Sequence, residues 1–310
     1  MTHFFERLFY SPSAMQRVLS YALSPLSALY CLISSFDKLI CKNQKPPIPV
    51  ISVGNIVVGG SGKTPLVAAL AKRYKNSCVV LRGYKRASRG LLVVSKKGKI
   101  VTDVDRSGDE AMALAMELED GTVIVSEDRM EGVKKAAELG CDVVFLDDGF
   151  RHCIKKFDIL IDVETPNGFC LPAGPYRLPK FFKKEADLVV VEGRDFKRRV
   201  HIKNPSKKMV LLTSIANPKR LEPYIPKNTV KYSFEDHHRF SYKEIKEIYD
   251  KERPDTFLVT MKDFVKLKEF PFSYSLLKLS MDIDESIFEK IDGYIKDFYA
   301  KKTSDGPDAA

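Results

Sequence analysis

A short apolar run, Val50, Ile51 and Val53, opens directly into a loop containing Gly59, Gly60, Ser61 and Gly62, which is followed by Lys63-Thr64-Pro65. The order is strand, glycine loop, helix start, and it narrows the fold more than any other stretch of the chain. A continuous apolar run suits a strand buried on both faces of a parallel sheet. Glycines free the loop backbone of Cβ atoms, so successive N–H groups can point at an anion. The following helix adds the positive end of its dipole. In this reading Gly59, Gly60, Ser61 and Gly62 cradle a phosphate, Lys63 supplies a point charge, and Thr64 offers a hydroxyl to Mg²⁺. Pro65 belongs in a first helical turn, where no N–H partner is lost. Val57 stands where the full phosphate-loop pattern asks for glycine, and an ordinary glycine-rich turn is the alternative.

With 310 residues, 44% of them hydrophobic and 30% charged, the chain can bury two cores and is too apolar for disorder. Its six cysteines form no C-x-x-C pair, which fits reduced thiols, and its five histidines lack zinc-site spacing. The net charge of +10, with lysine clusters such as Lys183-Lys184 and Lys197-Arg198-Arg199, calls for an anionic partner or for solvated basic faces. No helix-turn-helix or aromatic-interleaved RNA motif accompanies them, so a membrane surface or a phosphorylated small molecule is expected and nucleic acid is not.

The first 45 residues are expected to form a membrane-associated helical segment. Val18 to Phe36 is a run of 19 uncharged residues, long enough to span a bilayer, yet diluted by five serines and Pro25 and preceded by aromatic, amphipathic sequence. An interfacial helix fits best, with a spanning or a core helix as alternatives. From 46 to 165 the pattern reads strand 49–53, helix 64–75, strand 77–81, a hairpin near 91–94 and 99–102, helix 107–118, strand 122–126, helix 128–139 and strand 142–146. Alternation of this kind predicts an α/β fold of the P-loop NTPase type, a parallel sheet with helices on both faces, binding its ligand beyond the carboxyl ends of the strands. A Pro/Gly-rich crossing near 171–179 marks a boundary. A second, smaller α/β domain is expected over 166–300, with strands at 188–191, 209–213, 257–260 and 276–279 and helices at 241–250 and 285–299. A frayed tail is expected over 301–310.

Several further segments can carry chemistry. Val143 to Leu146 is an apolar strand ending in Asp147-Asp148-Gly149, the shape of a metal-binding element beside a phosphate loop, or else a strand-ending turn. Ser107 and Glu110 fit a capping box around Asp109. Spacing leaves open whether Asp109 answers the helix dipole or accepts a proton from an attacking hydroxyl. His237, in Asp236-His237-His238, gains interest if it orients Asp109. Arg82 and Tyr84 follow one strand and Arg129 another. Arg129 either neutralises transferring phosphate or pairs with Glu127 or Asp128.

Taken together, Gly54-Asn55, Val58 to Pro65, Arg82-Gly83-Tyr84, Gly108-Asp109-Glu110, Glu127-Asp128-Arg129, Asp147-Asp148-Gly149 with His152, Leu171 to Gly174, Asp236-His237 and Thr260-x-Lys262-Asp263 resemble the tetraacyldisaccharide 4'-kinase family, in its order, over most of the chain. The resemblance implies transfer of phosphate from ATP to the 4'-hydroxyl of a tetraacylated glucosamine disaccharide 1-phosphate in lipid A assembly. It implies a peripheral enzyme on the cytoplasmic face of the bacterial inner membrane, and two α/β domains joined by a β-ribbon. By motif, Lys63 and Thr64 handle phosphate and Mg²⁺, Asp147 and Asp148 serve the metal, and Asp109 with His237 matches the catalytic dyad. Asn55, Arg82, Tyr84, Glu110 and His152 are candidates for substrate contact. The anomaly at Val57 is shared with the family. Arg151, Tyr176 and Leu178 depart from it, the first altering charge near the phosphates and the others altering expected substrate contacts. A monomer is expected. The rival reading is a membrane-bound nucleotide switch or ATPase with no lipid acceptor, and a third is a non-catalytic lipid-binding scaffold.

Overall fold

A computed structural model describes residues 2–304. In chain order the helices are α1 (Thr2–Tyr10), α2 (Ala14–Ala22), α3 (Ser24–Leu39), α4 (Lys63–Ala71), α5 (Val104–Ser107), α6 (Asp109–Glu117), α7 (Arg129–Glu138), α8 (Tyr242–Glu252), α9 (Met261–Leu267) and α10 (Glu285–Ser304). The strands are β1 (Val50–Gly54), β2 (Ser77–Leu81), β3 (Leu92–Lys96), β4 (Lys99–Ile100), β5 (Thr122–Val125), β6 (Val143–Asp147), β7 (Phe157–Ile161), β8 (Leu188–Val190), β9 (Phe196–Lys203), β10 (Met209–Thr213), β11 (Val230–Ser233), β12 (Thr256–Thr260) and β13 (Tyr274–Ile283). The chain groups into two compact units. One comprises Met1–Val67, Val143–Lys197 and Ile283–Ala310, and the other Ala68–Asp142 and Arg198–Asp282. The chain therefore passes between units several times, where the sequence alone suggests one boundary near residue 165. Of the expected tail, residues 301–304 continue α10 and the rest lies outside the described residues.

In the first unit the strands run in the order β6-β1-β7-β8, with each neighbouring pair parallel. All five residues of β1 and of β6 are buried, as their apolar runs require. Val53 is in register with Asp147, so the glycine loop and the Asp147-Asp148 turn leave the sheet side by side at its carboxyl end. Ser52 is the polar exception in β1. Its hydroxyl bonds Asp158 on β7, which also lies 3.1 Å from the Lys156 ammonium. Burial pushes the Asp158 carboxyl above its usual range, while Lys156 and Ser52 pull it back.

The expected single N-terminal helix is three. Pro25 sits at the start of α3, and α2 and α3 meet at 58°. Their faces are reversed relative to a water-soluble helix: Ser20, Ser27 and Ser34 are buried, whereas Met15, Val18, Tyr21, Leu29, Leu32, Phe36 and Leu39 are exposed. The Ser27 hydroxyl donates to the Cys170 carbonyl at 2.7 Å, and Asn167 donates to Ser20 Oγ at 3.1 Å and to the Leu8 carbonyl at 3.2 Å. No single helix among the described residues is long and apolar enough to cross a membrane, although the bent pair α2–α3 passes that test together. Disulfides join Cys31 to Cys170 and Cys41 to Cys153, correcting the expectation of reduced thiols for these four; Cys78 and Cys141 are free. Separations of 139 and 112 residues hide both pairs from a reading based on local spacing.

The second unit holds two sets of strands. In the order β4-β3-β5-β2, β2 and β5 are parallel and the β3–β4 hairpin is antiparallel at the edge. In β11-β10-β12-β13-β9, the strands from β11 to β13 are mutually parallel. Three of these elements escape the sequence pattern. β11 is almost wholly exposed, β9 alternates its cations outward as edge strands do, and α9 has seven residues, too few for a periodic signal. Packing of α6 against α9 brings the dyad region together within this unit.

Removing one partner of the buried Lys156–Asp158 pair strands the other, whose side chain is 2% exposed. Asp158→Ala is therefore expected to lower unfolding free energy by about 3–5 kcal/mol, measured by chemical denaturation.

Candidate active site

The phosphate loop is built as its glycines require. Gly59 and Gly62 take left-handed φ values of +102° and +86°, which a side chain would resist. α4 starts at Lys63 immediately after the loop. Val57 and Val58 are held from the side: Val57 bridges Tyr176, the Val58 N–H donates to the Pro175 carbonyl at 2.9 Å, and the Arg177 N–H donates to the Ile56 carbonyl at 2.7 Å. Val57, Tyr176 and Leu178 are buried together with Ile56, Phe150 and Phe182. Residue 57 is a core residue, which accounts for the missing glycine. The two departures at 176 and 178 are likewise packing residues.

Around this loop four charged side chains converge. The Thr64 hydroxyl donates to Asp147 Oδ2 at 2.6 Å. Asp148, in a left-handed conformation (φ +55°), receives both arms of the Arg177 guanidinium at 3.0 Å and lies 3.6 Å from the Lys63 ammonium. The buried Asn55 presents Oδ1 to Lys63 at 3.2 Å and to Arg177 at 2.6 Å. No local motif marks Arg177, although its bidentate fork suits carboxylate or phosphate equally. His152 is held by its backbone, its N–H donating to the Gly149 carbonyl at 3.0 Å and its carbonyl accepting from Lys156 at 2.9 Å. A hydroxyl in the first turn of α4 and a carboxylate at the carboxyl end of β6, within bonding distance of each other, are a hard-oxygen donor set that fits Mg²⁺.

The second constellation lies in the second unit. Gly108, at φ +84°, turns the chain from α5 into α6 and so places Asp109, 6% exposed, at the first position of the helix. The expected capping box is absent. Ser107 donates instead to the Asp103 carbonyl at 2.7 Å, and Glu110 faces Lys262 at 3.3 Å. His237, in a left-handed turn (φ +66°), sets Nδ1 2.9 Å from both Asp109 oxygens, and its backbone N–H donates to the Ser214 carbonyl at 3.1 Å. Asp109 Oδ1 also accepts the Glu110 N–H at 2.9 Å. Two ammonium groups from α9 approach Asp109 Oδ2, Lys266 at 3.7 Å and Lys262 at 4.0 Å. Burial would lower the Lys262 ammonium, yet Glu110, Asp109 and Asp236 together hold it above its ordinary range.

Other predicted residues divide. Tyr84 is exposed, with its ring 5.7 Å from the His237 ring, and Arg82 is exposed at the end of β2. Arg129 is buried at the start of α7 and donates to the Ser126 carbonyl; Glu127 pairs with Arg86 at 2.8 Å and Asp128 caps α7 through the Met130 and Glu131 N–H groups. His238 stacks on Phe234 and bonds Glu244 at 3.0 Å, a packing role distinct from that of its neighbour.

The sequence profile described as Tetraacyldisaccharide-1-P 4'-kinase matches residues 19–208 and 197–296. The tetraacyldisaccharide 4'-kinase of Aliarcobacter butzleri is 47% identical over 304 residues, covering 94% of this chain and 97% of that one. That of Campylobacter jejuni is 44% identical over 297 residues, covering 94% and 96%. Among solved structures, LpxK from Aquifex aeolicus in complex with ATP superimposes with a TM-score of 0.75 at 30% identity, over 89% of this chain and 99% of that one. The match to the family over nearly all of its length, and to an ATP-bound member in fold, means that this chain belongs to the tetraacyldisaccharide 4'-kinase family.

Proposed function

We propose that the protein transfers the γ-phosphoryl group of ATP to the 4'-hydroxyl of a tetraacyldisaccharide 1-phosphate, as a monomer at the cytoplasmic face of the inner membrane. The hydroxyl oxygen forms the new P–O bond, the bond to the departing ADP breaks, and the hydroxyl proton passes to the protein. Lys63, the glycine-loop N–H groups and the start of α4 hold the phosphates. Thr64 and Asp147, with Asp148, would hold Mg²⁺, which when bound neutralises charge on the phosphate oxygens. Each constellation is complete within one chain, which supports a monomer.

The observation that carries this reading is the Asp109–His237 pair. A phosphate loop with two carboxylates suits any nucleotide hydrolase, whereas a buried carboxylate–imidazole pair is what an alcohol acceptor needs. The sequence, taken with the family resemblance, casts Asp109 as the proton acceptor, tuned by His237. The oxygens of Asp109 are engaged by His237 Nδ1 and the Glu110 N–H, and two ammonium groups stand within 4.0 Å, which leaves neither oxygen open to an incoming hydroxyl. This supports Asp109 as the group that orients and polarises the imidazole, with His237 Nε2 taking the proton. Nε2 lies 3.4 Å from both the Lys262 ammonium and Asp236 Oδ2, which have to make room for the hydroxyl.

Labelled ATP with the disaccharide acceptor is expected to give labelled lipid, and the transfer is expected to stop when divalent cations are chelated. Free phosphate without labelled lipid would favour the nucleotide switch instead. His237→Ala and Asp109→Ala are each expected to reduce kcat by about 10²–10⁴-fold with little change in ATP affinity; near-normal turnover in either removes that residue from the proton transfer.

The reversed faces of α2 and α3 support peripheral attachment. Leu29, Leu32, Phe36 and Leu39 form an outward apolar surface while Ser20 and Ser27 bond the body, an arrangement that water penalises and a lipid interface rewards. Because Leu32 and Phe36 are 69% and 63% exposed, the double variant Leu32→Glu/Phe36→Glu is expected to shift the protein from the membrane to the soluble fraction with its thermal midpoint unchanged. Undiminished flotation with vesicles would assign attachment to the basic clusters.

A further inference from the structure

Behind the dyad, Asp263 of the Thr260-x-Lys262-Asp263 segment and the buried lysine three residues beyond it form a cluster of their own. Asp263 is fully buried and saturated with donors. Thr213 Oγ1 reaches Oδ2 at 3.1 Å and Thr260 Oγ1 at 2.8 Å, while the Ser214 N–H and hydroxyl reach Oδ1 at 3.0 and 2.6 Å. Lys266, one helical turn later on α9, points into the same cluster with its side chain 9% exposed. Its ammonium bonds Ser214 Oγ, lies 3.5 Å from Asp263 Oδ1 and 3.7 Å from Asp109 Oδ2, and sits over the Phe240 ring at 5.1 Å.

This cluster reaches both members of the dyad by different routes. The Ser214 carbonyl accepts the backbone N–H of His237 and so pins a left-handed turn. The Lys266 ammonium faces the carboxylate of Asp109. A buried ammonium with two carboxylates is far costlier to place than a surface one, and here its charge lies between a saturated structural carboxylate and a catalytic one. We propose that Lys266, anchored by Asp263 and Ser214, is a positioning residue for the dyad: it keeps Asp109 ionised and in line with His237 and thereby sets the acidic limb of the pH–rate profile. The inference rests on the dyad reading above.

The groups facing Asp109 are His237 from the loop after β11, Lys262 and Lys266 from α9, and on its own helix the Glu110 N–H. The carboxylate of Glu110 stands beyond Lys262 and that of Asp263 beyond Lys266, while Asp236 lies 3.7 Å from the Lys262 ammonium and sets Oδ2 3.4 Å from His237 Nε2 itself. Removing the Lys266 charge leaves Asp109 more basic and, through it, the imidazole as well, because a nearby cation disfavours both protonated forms. The neutral imidazole then predominates only at higher pH. Lys262 remains, so the displacement is smaller than for a carboxylate losing all its cations.

The test is the kcat pH profile of full-length Lys266→Met and Lys266→Arg in the labelled-lipid assay at saturating ATP. Lys266→Met is expected to lose at least about 10-fold in kcat at neutral pH and to move the acidic limb upward by about one pH unit, with the KM for ATP unchanged. Lys266→Arg keeps the charge and is expected to keep the wild-type limb even where kcat falls. An unmoved limb in Lys266→Met overturns the proposal, as does a limb in Lys266→Arg displaced upward by about one unit. If Lys266→Met does not fold, Lys266→Arg decides alone: a wild-type limb supports the proposal and an upward one overturns it. Full activity of His237→Ala would instead overturn the dyad reading on which the proposal stands.

Discussion

Everything in the phosphate-binding unit depends on the parallel pairing of β1 between β6 and β7. Because Val53 and Asp147 are register partners, one backbone ladder fixes where the glycine loop starts and where the carboxylates end, before any side chain takes part. The cost is a strand with no exposed position, so that Ser52 needs Asp158 and Asp158 needs Lys156. A chain of buried polar partners thus runs beneath the loop, each acceptable because the next is present. Gly54 shows the same tightness, since a Cβ there would stand 2.5 Å from that of Phe150 in the carboxylate turn.

The dyad depends on a different device. Two residues 128 positions apart meet because α6 and α9 pack together and because a left-handed turn aims His237 inward. Left-handed backbone at a residue with a side chain stores strain, and the Ser214 carbonyl is one bond that holds it. Asp263 then fixes Ser214, so a fully buried carboxylate on α9 supports the turn that aims His237.

What the sequence made legible follows from range. The strand–loop–helix order at residues 50–65, the apolar strand ending in Asp147-Asp148 and most of the α/β alternation are local patterns, and local patterns carry their own geometry. The pairing of Asp109 with His237 is legible only through resemblance, because nothing in the spacing of either residue forces the contact. Arg177, Ser214 and Lys266 carry no local signal, because an arginine in a Pro/Gly-rich crossing, a serine after a strand and a lysine in a seven-residue helix look like surface residues until their neighbours are known. The serines of α2 and α3 misled in another way. They read as dilution of an apolar helix, and in the fold they are its inward face.

The bridge between Val57 and Tyr176 has a consequence for how such a loop changes over time. Glycine at the start of a phosphate loop serves where the backbone needs freedom. Here the backbone is held by a short ladder from residues 175–177, and the side chain at 57 fills space opposite an aromatic ring. Positions 57 and 176 therefore act as one unit of inheritance: volume removed from one side of the bridge must be supplied from the other, and the two residues are expected to covary while the glycines at 59 and 62 stay fixed.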